Sequence, residues 1–256
     1  MTDAIVQQQV DFLGYAHDTA LDAARQLKFD ADKIAQVFVV SLHGTIVELA
    51  GACLSLLGTG NSIAIPILLR SMHEALADQI NLLVDAKYVE NMEAADLKQM
   101  ERLLVQADGD ANNLLKGLGE KWNIPKELEQ LRGRQVTLKA AGRGALNVFE
   151  RFKKAGLQAE YQSAYLLLCL DSHGNASALM DRHIEFAGDN IQLSFFKDPP
   201  VTSTRARVDA VTAILINSTV MIHEAFKTAC TTVQPLRAEH AKLRQDLLAK
   251  KAPPPQ

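Results

Sequence analysis

The spacing of apolar residues constrains this chain most strongly, because it follows the period of an α-helix over most of the 256 residues. Between residues 3 and 28 an apolar residue recurs about twice per helical turn. Similar stripes, separated by Gly, Pro and Asn punctuation, continue toward residue 251. The pattern predicts an all-α fold, a multi-helix bundle, with helices near 30–57, 62–87, 92–107, 123–154, 158–172, 202–233 and 235–251. Local capping signals predict that Asp30 or Asp32, Ser62, Asn123, and Thr202 or Ser203 begin four of these helices.

One short segment departs from the helical period. Two alternating runs, Ile184-Glu185-Phe186 and Ile191-Gln192-Leu193, flank a turn that contains Gly188 and Asp189. This arrangement predicts a small β-hairpin near 184–196. Because an isolated hairpin is marginally stable, we expect it to lie on the helices. We predict a single helical domain over residues 1–251, followed by a disordered tail at 252–256.

The charges are unevenly distributed along the chain. Residues 1–114 contain 7 Lys or Arg against 16 Asp or Glu, whereas residues 115–154 contain 10 against 4. This distribution excludes a uniformly basic nucleic-acid-binding coat. The basic segment 116–154 is typical of a solvated helix face, and the alternative is a surface that holds RNA.

The cysteines and the hydropathy of the sequence indicate the cellular compartment of the protein. The three cysteines, Cys53, Cys169 and Cys230, are odd in number and widely spaced, which favours free thiols in a reducing cytosol. The N-terminal residues do not resemble a signal peptide. Residues 37–57 are strongly apolar but include His43 and Glu48, so they predict a buried core helix rather than a membrane span. We therefore expect a cytoplasmic protein without a membrane partner.

The common catalytic motifs are absent from the sequence. It contains no GxxxxGK[ST], GxGxxG, HExxH, ExxH or GxSxG motif. These absences leave the usual nucleotide hydrolase, zinc protease and esterase hypotheses without support. We accordingly expect no cofactor and no metal.

Two helices carry polar residues that could meet. Arg70, Glu74 and Asp78 recur every four residues and therefore share one face of the third helix. Tyr165, Cys169 and His173 align in the same way on the apolar helix before Gly174. Each pattern also has a plain interpretation, an amphipathic helix in the first case and a C-terminal histidine cap in the second. If the two faces point inward, Arg70, Glu74 and His173 form a buried charged cluster, which is a candidate functional site.

These same residues resemble the motifs of an uncharacterised bacterial family, domain of unknown function five-six-seven-seven. Arg70-Ser71-x-x-Glu74 is similar to its Arg-Ser-x-x-Glu helix, and Tyr165-x-x-Leu168-Cys169-x-x-x-His173 to its Tyr-x-x-Leu-Ser-x-x-x-His helix. The resemblance covers roughly residues 30–230, including the hairpin and the long helix after it. Cys169 stands where the family usually has Ser, which puts in doubt any role that needs a hydroxyl. The resemblance implies the fold and the candidate residues, not an activity.

A weaker, fold-level resemblance connects the chain with HEPN-type helical ribonucleases. It implies a metal-independent endoribonuclease in which His173 transfers protons, Arg70 stabilises the phosphorane charge and Glu74 orients one of them. Tyr165 and Asn175 would support the pocket, and segment 116–154 would hold RNA. The chain lacks the usual Arg-x(4–6)-His spacing of these enzymes.

The preferred hypothesis is a helical interaction or sensor module, in bacterial defence or stress, whose Arg70–Glu74–His173 network is structural. Asp78, Tyr165, Cys169 and Asn175 would support that network. The amphipathic helix at 235–251 predicts contact with a protein partner or a second copy in a homo-oligomer. A third alternative, a small-molecule pocket with a metal at Glu74, His173 and His183, has no diagnostic ligand spacing.

Overall fold

The computed structural model describes residues 3–108, 115, 117, 122–172, 175–188, 190–195, 197, 199–228 and 230–249. His173 and the predicted tail at 252–256 therefore lie outside the described residues. In the first part of the chain the helices are α1 (Ala4–Ala24), α2 (Ile34–Gly58), α3 (Ile65–Val84), α4 (Tyr88–Asp108), α5 (Ile124–Ala140) and α6 (Val148–Lys154).

The second part adds a hairpin to further helices. Its elements are α7 (Gln158–Glu160), a π-helical turn (Tyr161–Tyr165), α8 (Leu166–Ser172), α9 (Ala176–His183), β1 (Ile184–Ala187), β2 (Asn190–Leu193), α10 (Val201–Ala225) and α11 (Leu236–Ala249). The predicted class, an all-α bundle with a small β-hairpin, is confirmed.

Helices α1, α2, α3 and α10 pack against one another around the main core. Small residues such as Ala16, Ala20 and Ala50 are fully buried between them, which lets the helix axes approach closely. By length and composition α2 could also cross a membrane, a test that the core helix of a soluble protein passes equally. Its packing between α1, α3 and α10 corresponds to the predicted central helix.

A chain of buried polar groups joins three of these helices. His43 Nδ1 on α2 lies 2.9 Å from Ser218 Oγ on α10, and Ser218 in turn donates to Gln79 Oε1 on α3 at 2.7 Å. Because the serine hydroxyl has one proton, the Nδ1 of His43 must be the donor in the first bond. Burial, together with the nearby His223, lowers the pKa of His43 to about 4. The imidazole is therefore neutral inside the bundle.

Local signals located some helix ends correctly and others wrongly. Asn123 caps α5 as predicted, since its side chain accepts a hydrogen bond from the Lys126 amide at 3.3 Å. The predicted cap of α2 at Asp30 or Asp32 is wrong, because the Asp30 carboxylate accepts the Asp32 amide in its own turn and α2 begins after Lys33. The predicted cap of α3 at Ser62 is also wrong, since α3 begins after Ala64.

Helix α10 is shorter than predicted at its C-terminus and follows Pro200, not the predicted cap at Thr202 or Ser203. It ends at Ala225 because Lys227 adopts a positive φ of 52°. The Thr228 amide then donates to the His223 carbonyl at 3.0 Å, which closes a Schellman motif. The chain leaves the helix about two turns before the predicted end near residue 233.

The hairpin forms where it was predicted, but helices do not cover it. Ile184 pairs with Leu193 and Phe186 with Ile191, so these apolar residues share one face. Phe186 and Ile191 remain 67% exposed and Leu193 64% exposed. The expectation that this face lies on the helices is wrong for the part of the chain that the structure describes.

Candidate functional site

Helix α3 provides the scaffold of the candidate site. Its core-facing residues, Leu69, Met72 and Leu76, are buried in the main cluster. This packing fixes the rotation of the helix and turns Arg70, Glu74 and Asp78 toward the segments that follow α5. The shared polar face predicted from the spacing is thus present.

The first half of the site joins α3 to the π-helical turn. Arg70 Nε donates to Tyr165 Oη at 3.1 Å, and Tyr165 Oη donates to Glu74 Oε1 at 2.7 Å. The Arg70 guanidinium carbon also lies 5.5 Å from the centre of the Tyr165 ring. Burial, strengthened by the hydrogen bond to Glu74, raises the pKa of Tyr165. The phenol therefore keeps its proton and acts as a donor to the carboxylate.

The second half joins α3 to α6 through Arg151. Its Nε donates to Asp78 Oδ1 at 2.8 Å, a terminal nitrogen contacts Asp78 Oδ2, and the other terminal nitrogen lies 3.3 Å from Glu74 Oε2. Tyr88 Oη donates to Asp78 Oδ1 at 2.6 Å. Burial opposes the charge of Arg151, but the hydrogen bonds and charge of Asp78 outweigh it, so the pKa of Arg151 is raised. We call Arg70, Glu74, Asp78, Arg151 and Tyr165 the ion-pair network.

Aromatic rings pack against Tyr165 of the ion-pair network and hold it in place. The ring centres of Phe152 and Tyr165 are 4.8 Å apart, and those of Tyr161 and Tyr165 are 5.2 Å apart. Phe152 is fully buried against Ala77 of α3. Because Phe152 follows Arg151 directly, the packing of this ring sets the direction in which the guanidinium reaches α3.

Sequence reasoning missed Arg151 and Tyr88. A capping box at Asn147 and Glu150 starts α6, which determines where Arg151 lies on the short helix. The acidic face of α3 and the basic excess of residues 115–154 indicated that partners were needed. Nothing in the local sequence selected Arg151 from the other basic residues.

Most of the described positive charge in segment 116–154 is matched within the chain. Arg143 lies 2.6 Å from Asp85 and lowers the pKa of that carboxyl, chiefly through its hydrogen bond. Further pairs are Arg132–Glu101 at 2.7 Å and Arg134–Glu93 at 2.6 Å, both to carboxylates of α4, and Lys154–Asp85 at 3.5 Å, where Asp85 follows the end of α3. The acidic and basic segments of the sequence therefore pack together and form ion pairs with each other.

The remaining predicted site residues lie outside the ion-pair network. Cys169 packs against the aromatic cluster around Tyr165. Asn175 lies apart from the network and caps α9 by accepting the Ala178 amide at 2.9 Å. His183 lies beside the hairpin, where its ring centre is 6.0 Å from that of Phe195. His173 is outside the described residues, so the predicted Arg70–Glu74–His173 cluster stays a prediction.

The network is half-buried rather than sealed, with the Arg70 and Glu74 side chains 28% and 27% exposed. Its groups are paired guanidinium, carboxylate and phenol groups, and such pairs hold helices at a defined geometry. Among the described residues no group of three potential metal ligands occurs. The predicted metal set of Glu74, His173 and His183 is divided between the network and the hairpin, with His173 undescribed.

The fold and the site define a helical protein in which a charged helix of the bundle is tied to the segments that follow it by an ion-pair network. The chain belongs to the family of unknown function DUF5677, whose family model matches residues 36–191. The matched region extends from α2 into β2 and includes the whole network. No curated protein and no solved structure matches the chain.

Proposed function

We propose that this protein is an interaction module that associates with a second copy of itself through the apolar face of its hairpin. The observation that carries the proposal is the two-thirds exposure of Phe186, Ile191 and Leu193 on one side of the two strands. Apolar side chains in an uncovered row of this kind mark interaction sites.

The amount of apolar surface supports the proposal. Phe195, which follows β2, is also 67% exposed, and Leu179 and Met180 of the preceding helix are more than 40% exposed. Two phenylalanines at that exposure alone present about 200–300 Å² of surface. With the aliphatic residues, the exposed apolar area is several hundred Å², the size of patch that marks an interaction site on a protein surface.

The chemistry of the face favours a second copy as the occupant. The four facing side chains, Ile184, Phe186, Ile191 and Leu193, carry no charge, so two copies meet without like-charge repulsion. A two-stranded hairpin is marginal alone, whereas two hairpins that pack face to face bury both apolar faces between two sheet layers. A twofold axis makes such a contact self-complementary.

The ion-pair network contributes by positioning this surface. It fixes the π-helical turn and α6 on α3, and the turn continues directly into α8, the helix before α9 and the hairpin. The proposal includes a cytoplasmic location, which the three free cysteines support, since two of them are buried and all are unbridged.

The test compares the two faces of one strand. We expect the wild type to be a dimer by analytical ultracentrifugation at micromolar concentrations, and Ile191→Lys to be a monomer. Gln192→Lys is the matched control, because it adds the same charge at the next position, on the opposite face and across from Glu185. A monomeric wild type, or equal dissociation of both variants, would contradict the proposal.

A further inference from the structure

A cavity of about 410 Å³ lies between α3, α8, α9 and α10. Its walls are mostly apolar and are formed by Leu69, Leu167, Leu168, Leu170, Ala178 and Ala210. Ligand-binding cavities have this volume and this composition, with a small number of polar groups that orient the ligand. The cavity is separate from the exposed face of the hairpin.

His73 supplies a polar group in the wall of this cavity. The residue is 7% exposed, and its Nε2 has no hydrogen-bond partner among the described residues. A buried nitrogen without a hydrogen-bond partner is energetically unfavourable. A ligand that hydrogen bonds this nitrogen removes that cost, which adds to its binding free energy. Burial lowers the pKa of His73 to about 4, so the ring is neutral near pH 7. A neutral imidazole offers one donor and one acceptor.

The charged groups around the cavity favour an uncharged ligand over a charged one. Asp171 and Arg207 are paired at 2.9 Å, so they largely neutralise each other. The remaining carboxylate, Asp181, is exposed at the rim, where water screens it. A charged ligand would lose its hydration in the apolar interior without an unpaired opposite charge to replace it.

We infer that this cavity binds a small, uncharged, mainly apolar molecule that carries a hydroxyl group, and that the hydroxyl hydrogen bonds His73. A hydroxyl both donates and accepts, so it satisfies Nε2 in either tautomer of the ring. The site goes beyond the proposed self-association, because none of its lining residues belongs to the hairpin.

The experiment uses 4-propylphenol as the probe and propylbenzene as the matched compound without a hydroxyl. We expect titration calorimetry to give one phenol site per chain, with about tenfold weaker binding of propylbenzene, as the loss of one hydrogen bond predicts. The ring resonances of His73 should shift with the phenol. Failure of the phenol to bind, or equal binding of both compounds, would overturn the inference.

Two variants assign the binding to this cavity. His73→Leu should remove the preference for the phenol, whereas His183→Leu, which changes a histidine outside the cavity, should keep it. Ser177→Phe fills the cavity from an exposed rim position and should abolish binding of both probes. Because Ser177 is exposed, this variant decides the matter even if His73→Leu does not fold. Binding that persists in Ser177→Phe excludes this site.

Discussion

Tyr165 Oη lies 2.7 Å from Glu74 Oε1, although the two residues are 91 positions apart in the sequence. The phenol is buried and the carboxylate is half-buried, so the bond forms where water competes only weakly. It joins the bundle to the segment that leads toward the hairpin. Removing the Tyr165 hydroxyl therefore measures how much its hydrogen bonds contribute to the stability of the protein.

Tyr165→Phe removes the hydroxyl and keeps the ring in the aromatic cluster. Because Glu74 loses a donor and Arg70 loses an acceptor, we expect a loss of about 1–2 kcal/mol in the free energy of unfolding, measured by urea denaturation. Tyr161→Phe is the control, since Tyr161 makes ring contacts in the same cluster. Equal effects of the two changes would show that the bonds of the Tyr165 hydroxyl contribute nothing.

Arg151→Met should destabilise the protein more than the loss of an exposed ion pair does. It leaves Asp78 in a largely buried position without its cation, at a cost of about 3–5 kcal/mol. Arg134→Met breaks an exposed two-bond pair with Glu93 and should cost about 1 kcal/mol or less. Chemical denaturation of both variants checks this order. A similar cost for both would mean that burial does not distinguish the two pairs.

The buried histidines predict acid sensitivity. His43 and His73 have pKa values of about 4 in the folded protein, below their ordinary value of 6.5. The unfolded chain therefore takes up protons first as the pH falls, and stability is lost between pH 6.5 and about pH 4. Each histidine contributes a loss of about 3 kcal/mol over that range. Denaturation across this range should show a shallower pH dependence for His73→Leu than for the wild type, and identical slopes would refute the assignment.

The ribonuclease alternative has a direct test. We expect no RNA cleavage in EDTA by the wild type or by His173→Ala, because Arg70 and Glu74 are held by Tyr165 and Arg151. Circular dichroism must show that both proteins are folded. Cleavage by the wild type that disappears in a folded His173→Ala would restore the enzymatic hypothesis.

Features that depend on neighbouring residues could be predicted from the sequence. The helical class, the Asn123 cap and the position of the hairpin belong to this group, because helical periodicity, capping and strand alternation act over a few residues. The caps at Asp30 and Thr202 failed for the same reason, since several candidate residues compete locally. Alternation also indicated which hairpin residues share a face, but not whether anything covers that face.

The candidate site could be predicted only on the α3 side. The four-residue spacing of Arg70, Glu74 and Asp78 indicated a common face, and the position of Tyr165 indicated a partner helix. The bond between Arg151 and Asp78 joins residues 73 positions apart, so it depends on how α6 packs on α3. Nothing in the local sequence around Arg151 contains that information.

The ion pairs between the two segments also imply an order of folding events during synthesis. A ribosome releases the acidic residues of α3 and α4 before the basic residues of α5 and α6 that pair with them, so the emerging bundle carries unpaired negative charge on these helices. Arg151 reaches Asp78 only after α6 has left the exit tunnel. The closure of the ion-pair network is therefore a late event in synthesis, and a nascent chain stalled before residue 151 exposes the charged side of α3.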